Sequence, residues 1–162
     1  MTDALPTDLV GRDGLRVRLR RAVAADVPAL VRMLADDTIS AGRESDDLAP
    51  YQAAFARIDS DPGQLLVVGE LDGAPVCTLQ LTVIPGLARA GALRGQVEAV
   101  RVRSDLRSKG IGEAMMRWAV TELRARGCAV AQLTTDKRRL DAHRFYARLG
   151  WEATHEGFKI SL

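Results

Sequence analysis

The residues best suited to chemistry lie in one run, Val100-Arg101-Val102-Arg103-Ser104-Asp105-Leu106-Arg107-Ser108-Lys109-Gly110-Ile111-Gly112-Glu113-Ala114. A strand-like stretch passes through a short basic loop straight into a helical pattern. Such a junction aims unbonded amide N–H groups and the positive end of the helix dipole at whatever lies before it, so an anion is the expected ligand. Gly110 and Gly112 have no Cβ to hinder a phosphate, and Arg107 and Lys109 add charge at the rim. The run is not a Walker loop, because only Ile111 separates its glycines, and not a dinucleotide fingerprint, because Met115 stands where a third glycine belongs.

Just upstream, Val97, Ala99 and Arg101 alternate with Glu98, Val100 and Val102. Strict alternation sets Glu98 on one face with two valines, where a carboxylate needs a reason to be, and general base is such a reason. His143 and His155 are the only histidines, and neither Ser104 nor Ser108 sits in a Gly-x-Ser-x-Gly elbow, so a serine hydrolase is excluded. His143 reads as a helix-surface residue. Cys77 and Cys128 lie in apolar runs without Cys or His at metal spacing, which predicts two buried reduced thiols and no metal site.

The elements that must position these residues are legible from periodicity. Residues 15–20 alternate as a first strand, with Arg16, Arg18 and Arg20 on the solvated face of an outer strand. Asp26 and Pro28 open a helix carrying Val27, Leu30, Val31 and Leu34. A polar stretch over residues 36–47 leads to a second helix, 48–59, with Tyr51, Phe55 and Ile58 on one face. Asp72-Gly73 predicts a hairpin between strands 64–71 and 74–84. A loop over 85–94 precedes a strand at 96–102, and the helix from Gly110 buries Ile111, Ala114, Met115, Trp118, Ala119 and Leu123. A strand at 129–134, a helix at 140–149 and one or two strands within 151–162 complete an α/β or α+β domain with a mixed sheet.

The chain has 162 residues, 47% hydrophobic and 27% charged, the composition of one globular domain. Its 23 basic and 21 acidic side chains leave +2, too balanced for bulk nucleic-acid or membrane binding. No stretch approaches the roughly 20 apolar residues of a membrane helix, and residues 1–14, with Asp3, Asp8 and Asp13, never form a signal-peptide core, so a cytoplasmic protein is expected. Residues 1–14 read as an extension ahead of a single domain, 15–162.

Arg-x-x-Gly-x-Gly after the strand carrying Glu98 resembles the acyl-coenzyme A loop of the GNAT N-acetyltransferase superfamily. Asp141-Ala142-His143-Arg144-Phe145-Tyr146-Ala147-Arg148-Leu149-Gly150-Trp151 is similar to that family's late helix and its exit, and the resemblance covers residues 15–162. It implies a mixed, mostly antiparallel V-shaped sheet of about 6–7 strands flanked by about 4 helices. The strands ending near Val102 and Thr134 would splay to admit the pantetheine arm of acetyl-CoA. Val100, Arg101 and Val102 would line that arm, with backbone groups of the two valines pairing its amides. Arg107, Ser108, Lys109, Gly110, Ile111, Gly112 and Glu113 would hold the pyrophosphate, and Tyr146 would meet the thiol end. Arg139 stands where many relatives place an asparagine.

Acetyl transfer needs a neutral amine, and at a pKa of about 10.4 very little is neutral at pH 7. The resemblance makes Glu98 the base, directly or through a water, Tyr146 the acid that protonates the departing thiolate, and an amide at Val102 the oxyanion donor. The acceptor is expected to be a primary amine of a small molecule or amino compound, its pocket drawn from residues 36–55 and 85–94. A homodimer is the family habit. The competing expectations are a non-catalytic acyl-CoA-binding module and a nucleic-acid binder using Arg101, Arg103, Arg107 and Lys109, whose affinity would fall steeply with salt.

Overall fold

Apolar alternation builds a six-stranded sheet in which β1 (Thr7–Val10), β2 (Arg16–Arg21), β3 (Gln64–Leu71), β4 (Ala74–Ile84), β5 (Leu93–Val102) and β6 (Cys128–Leu133) lie side by side in chain order. The computed structural model describes residues 5–37, 39 and 42–162. Residues 1–4 of the expected extension, and Thr38, Ser40 and Ala41 of the expected acceptor segment, lie outside the described residues. The first five strands pair antiparallel. At the β3–β4 hairpin Asp72 and Gly73 take φ of 51° and 76°, the left-handed pair that a two-residue turn needs to match strand twist.

The helices are α1 (Val27–Ala35), α2 (Ala49–Ser60), the single turn α3 (Ala88–Gly91), α4 (Ile111–Ala125) and α5 (Leu140–Arg148). On one face of the sheet, Val27, Leu30, Val31 and Met33 of α1 and Phe55 of α2 bury against Ala22 and Val68. On the other, Ile111, Met115, Met116, Ala119 and Leu123 of α4 are all at most 1% exposed. Gly95 makes this approach feasible, because a Cβ there would lie 2.5 Å from the Leu123 side chain. Arg20 fixes the start of α1 by donating to both carboxylate oxygens of Asp26 at 2.8 and 2.9 Å, and it also reaches Glu70 at 2.5 Å.

Three expectations change. The strand expected to be first is the second, since residues 7–10 pair with it; β2 is therefore interior rather than outer, and Arg20 is ion-paired rather than solvated. No strand forms within 151–162, where Phe158, Ile160 and Leu162 stay exposed. Alternation says which face a strand would present, and it is silent on whether a sheet edge is available to pair it. Within the expected loop 85–94, α3 makes one turn with Arg89 and Ala90 at positive φ, and β5 already begins at Leu93.

The chain divides into two compact units, Met1–Gln132 and Leu133–Leu162. The first holds the sheet and α1 to α4. In the second, α5 ends at Arg148, with Gly150 beyond its cap at φ 84°, and the rings of Phe145, Tyr146 and Trp151 gather around its last turn.

Candidate functional site

The register of β5 decides what faces what. Thr82 opposes Gln96 and Gln80 opposes Glu98, but Thr78 opposes Arg101, so Ala99 and Val100 together face Leu79 alone. This is a β-bulge, with Ala99 at φ 52°. Glu98 and Arg101 consequently share a face with Gln80 and Thr78, whereas Val97 and Val102 share the opposite face with Leu81 and Cys77. The expectation that Glu98 lies among valines is corrected: Val97 is 2% exposed, and Glu98 is open to solvent. Its surroundings are polar. Gln64 Oε1 accepts from Gln80 Nε2 at 2.9 Å and Thr82 Oγ1 at 2.8 Å, and Gln132 donates to Gln96 at 2.8 Å.

Beyond the bulge the chain makes a 3-10 turn over Ser104–Leu106, anchored by buried Leu106 and by Arg103 donating to Asp105 at 2.6 and 2.9 Å. That guanidinium holds the Asp105 carboxyl below the usual carboxylate range. Arg107 donates to the carbonyl of Val102 at 3.2 Å and to the carbonyl and carboxylate of Asp36 at 3.1 and 3.4 Å. Arg101 donates to the carbonyl of Val100 at 2.9 Å and pairs with Asp37 at 3.3 Å. The carbonyls of both valines expected to meet pantetheine thus accept from side chains of the same segment.

The loop then closes on α4. Ser108 and Gly110 take φ of 65° and 82°, left-handed conformations of the kind found where successive backbone amides form an anion-binding nest. Gly110 occupies the N-cap position in a conformation a side chain would strain. Ala114 donates to the Gly110 carbonyl at 3.0 Å, so the amides of Ile111, Gly112 and Glu113 come before the first helical bond and have no partner inside the helix. The side chain of Ile111 is wholly buried and that of Glu113 binds Arg117 at 2.7 Å, which leaves their amides as the available groups. A cup of amides at a positive helix end, with Lys109 beside it, fits a diphosphate.

In the second unit Tyr146 is half-buried, with Phe145 and Trp151 edge-on to it at 5.2 and 6.3 Å between centroids, and its carbonyl accepts from the Trp151 amide at 3.0 Å. His143 is half-buried on α5 with Nε2 3.1 Å from the Asp136 carbonyl, a local tie and not a catalytic relay. Cys77 is buried and free, its thiol pushed up to about 12 by burial, whereas Cys128 is only half-buried. Among the described residues no three His, Cys, Asp or Glu side chains gather as metal ligands. A shallow cavity of about 420 Å³ lined by Pro62, Gly63, Val83, Pro85, Leu93 and Arg126 contains none of the residues singled out for chemistry.

Residues 28–151 match the model of the Acetyltransferase (GNAT) family. The chain belongs to this GNAT family. A structure from Bacillus halodurans C-125, described as a transcriptional regulator, is 40% identical, superposes with a TM-score of 0.86, and the match covers 90% of this chain and 99% of that one. A GCN5-related N-acetyltransferase from Ralstonia eutropha JMP134 is 28% identical with a TM-score of 0.71 over 90% and 98% of the two chains. The aminoalkylphosphonate N-acetyltransferase of Salmonella typhimurium is 35% identical over 68 residues, 42% of this chain and 44% of that relative. Among the described residues no helix of this GNAT chain is long and apolar enough to cross a membrane.

Two features of this GNAT site escaped the sequence. Asp36 and Asp37, expected to be part of a solvated polar stretch, bind Arg107 and Arg101 across 71 and 64 residues of chain. No local pattern announces such pairs. The bulge escaped for a related reason, because Ala99 carries no turn signature and the extra residue is visible only against β4.

Proposed function

We propose that this protein is an N-acetyltransferase that moves the acetyl group of acetyl-CoA to a primary amine of a small molecule by direct attack. The observation that carries the reading is the amide cup from Ser108 to Glu113 at the start of α4, shaped by two left-handed residues and backed by Lys109. Engagement of Arg101, Arg103 and Arg107 by Asp37, Asp105 and Asp36 supports a small anionic ligand over a nucleic acid, since those cations already face carboxylates.

In this reading the cup, with Lys109 at its rim, holds the diphosphate. Glu98, open to water beside the bulge, takes a proton from the acceptor's ammonium. The freed lone pair attacks the thioester carbonyl, a C–N bond forms, the developing oxyanion meets an amide N–H at Val102, the C–S bond breaks, and the Tyr146 phenol protonates the departing thiolate. Similarity to an aminoalkylphosphonate N-acetyltransferase puts amines bearing a phosphonate first in the acceptor panel.

The test combines CoA calorimetry with a mass-shift screen of amines. CoA binding together with a 42-dalton gain on one class of amine is the expected result, the mass of acetyl replacing hydrogen being about 42. Binding without transfer to any amine would make the protein an acyl-CoA-binding module, and absence of CoA binding would overturn the reading. Glu98→Gln is expected to leave CoA affinity intact and lower the neutral-pH rate by about 10²-fold or more. That loss should shrink as pH rises toward the amine pKa of about 10.4, where the acceptor loses its proton unaided. Unchanged turnover at neutral pH would remove Glu98 from the mechanism.

A further inference from the structure

The loop from Ser108 to Gly110 is held from behind by the connection between β1 and β2, a segment outside the family-matched residues 28–151. The Arg12 amide donates to the Lys109 carbonyl at 2.7 Å, and Arg12 Nη1 donates to the Ser108 carbonyl at 3.4 Å. A planar trans peptide points its carbonyl and the following N–H in opposite directions. Turning the Ser108 and Lys109 carbonyls onto Arg12 therefore turns the Lys109 and Gly110 amides away from it, outward into the cup.

The fit is close on both sides. A Cβ on Gly11 would lie 2.6 Å from the Lys109 carbonyl oxygen and 2.8 Å from Ile111 Cδ1, and a Cβ on Gly110 would lie 2.9 Å from the Arg12 amide nitrogen. Gly11 has φ −82° and ψ −169°, extended backbone that any residue adopts. Its lack of a side chain is thus required by contact with the loop rather than by its own conformation. The turn is itself locked, with the Gly11 amide donating to Leu15 at 2.8 Å and the Leu15 amide to Arg12 at 3.2 Å.

We propose that the β1–β2 turn is a brace that aims the diphosphate-binding amides, with Gly11 and Arg12 as positioning residues for CoA. The inference rests on the proposed reading of the cup, and it concerns residues that need not touch the ligand. It distinguishes the two ends of CoA: displacing the Lys109 carbonyl disturbs only the part of the site that meets phosphate.

The test measures, on the full chain, the affinity of Gly11→Ala and Arg12→Ala for CoA by calorimetry and for pantetheine, which has the thiol and amides without the diphosphate, by NMR titration. Gly11→Ala is expected to weaken CoA about tenfold or more and Arg12→Ala by a smaller factor, with pantetheine affinity unchanged in both. CoA affinity equal to wild type in both variants, or equal losses for CoA and pantetheine, would overturn the brace. If Gly11→Ala fails to fold, as read by circular dichroism, the exposed Arg12→Ala decides by the same comparison. A wild-type chain that binds no CoA would instead remove the reading of the cup on which the brace depends.

Discussion

Tyr146 shows how one residue's role depends on its neighbours. Phe145 and Trp151 hold its ring edge-on at 5.2 and 6.3 Å, contacts that survive removal of the hydroxyl. Tyr146→Phe therefore isolates the proton donor from the packing. The expected outcome is a fall in kcat of about 10²-fold with the KM for acetyl-CoA unchanged, measured by steady-state thiol release. A rise in KM with kcat intact would make Tyr146 a binding residue instead. At this scale Gly110 and Gly112 were readable because the tight turn and the helix start are made by adjacent residues. The engagement of Arg107 by Asp36 and of Arg101 by Asp37 was not, because each pair joins segments far apart in the chain.

At the scale of elements, the junction of β2, β3 and α1 rests on Arg20, Asp26 and Glu70. Burial pushes the Asp26 carboxyl up, but the Arg20 guanidinium and the Val23 amide, which donates at 2.8 Å, outweigh it and hold the carboxyl below its ordinary value. A carboxyl depressed in the folded state contributes stability above its unfolded value of about 3.9, and that contribution is lost as pH falls through the lower folded value. Asp26→Asn leaves Arg20 with Glu70 as its remaining carboxylate and is expected to cost about 1.5–3 kcal/mol at neutral pH, with a shallower decline of stability in acid than wild type. Denaturant unfolding across that range checks both, and equal acid dependence in the two proteins would separate Asp26 from acid unfolding. The bulge in β5 belongs to this scale too. The strand was legible from its alternation, but the phase of that alternation past Ala99 was not, and with it went the expected placement of Glu98 among valines.

For the molecule as a whole, a ligand that binds only the folded chain raises its stability by mass action. CoA at a hundredfold excess over its dissociation constant should add about 2.7 kcal/mol and raise Tm, with pantetheine giving less at the same concentration. A thermal melt unaffected by millimolar CoA would contradict the proposed cup. Strand alternation, helical stripes, the Asp72-Gly73 turn and the loop before α4 were all present in the order of residues, because each depends on neighbours within a few positions. The additional strand Thr7–Val10, the interior place of β2, the pairing of Asp36 and Asp37, and the brace of Gly11 and Arg12 on the loop emerged only on folding. The strand Thr7–Val10 depends on a pairing across 6 to 12 residues and the others on the distance between segments that the backbone separates by tens of residues, quantities that no local pattern encodes.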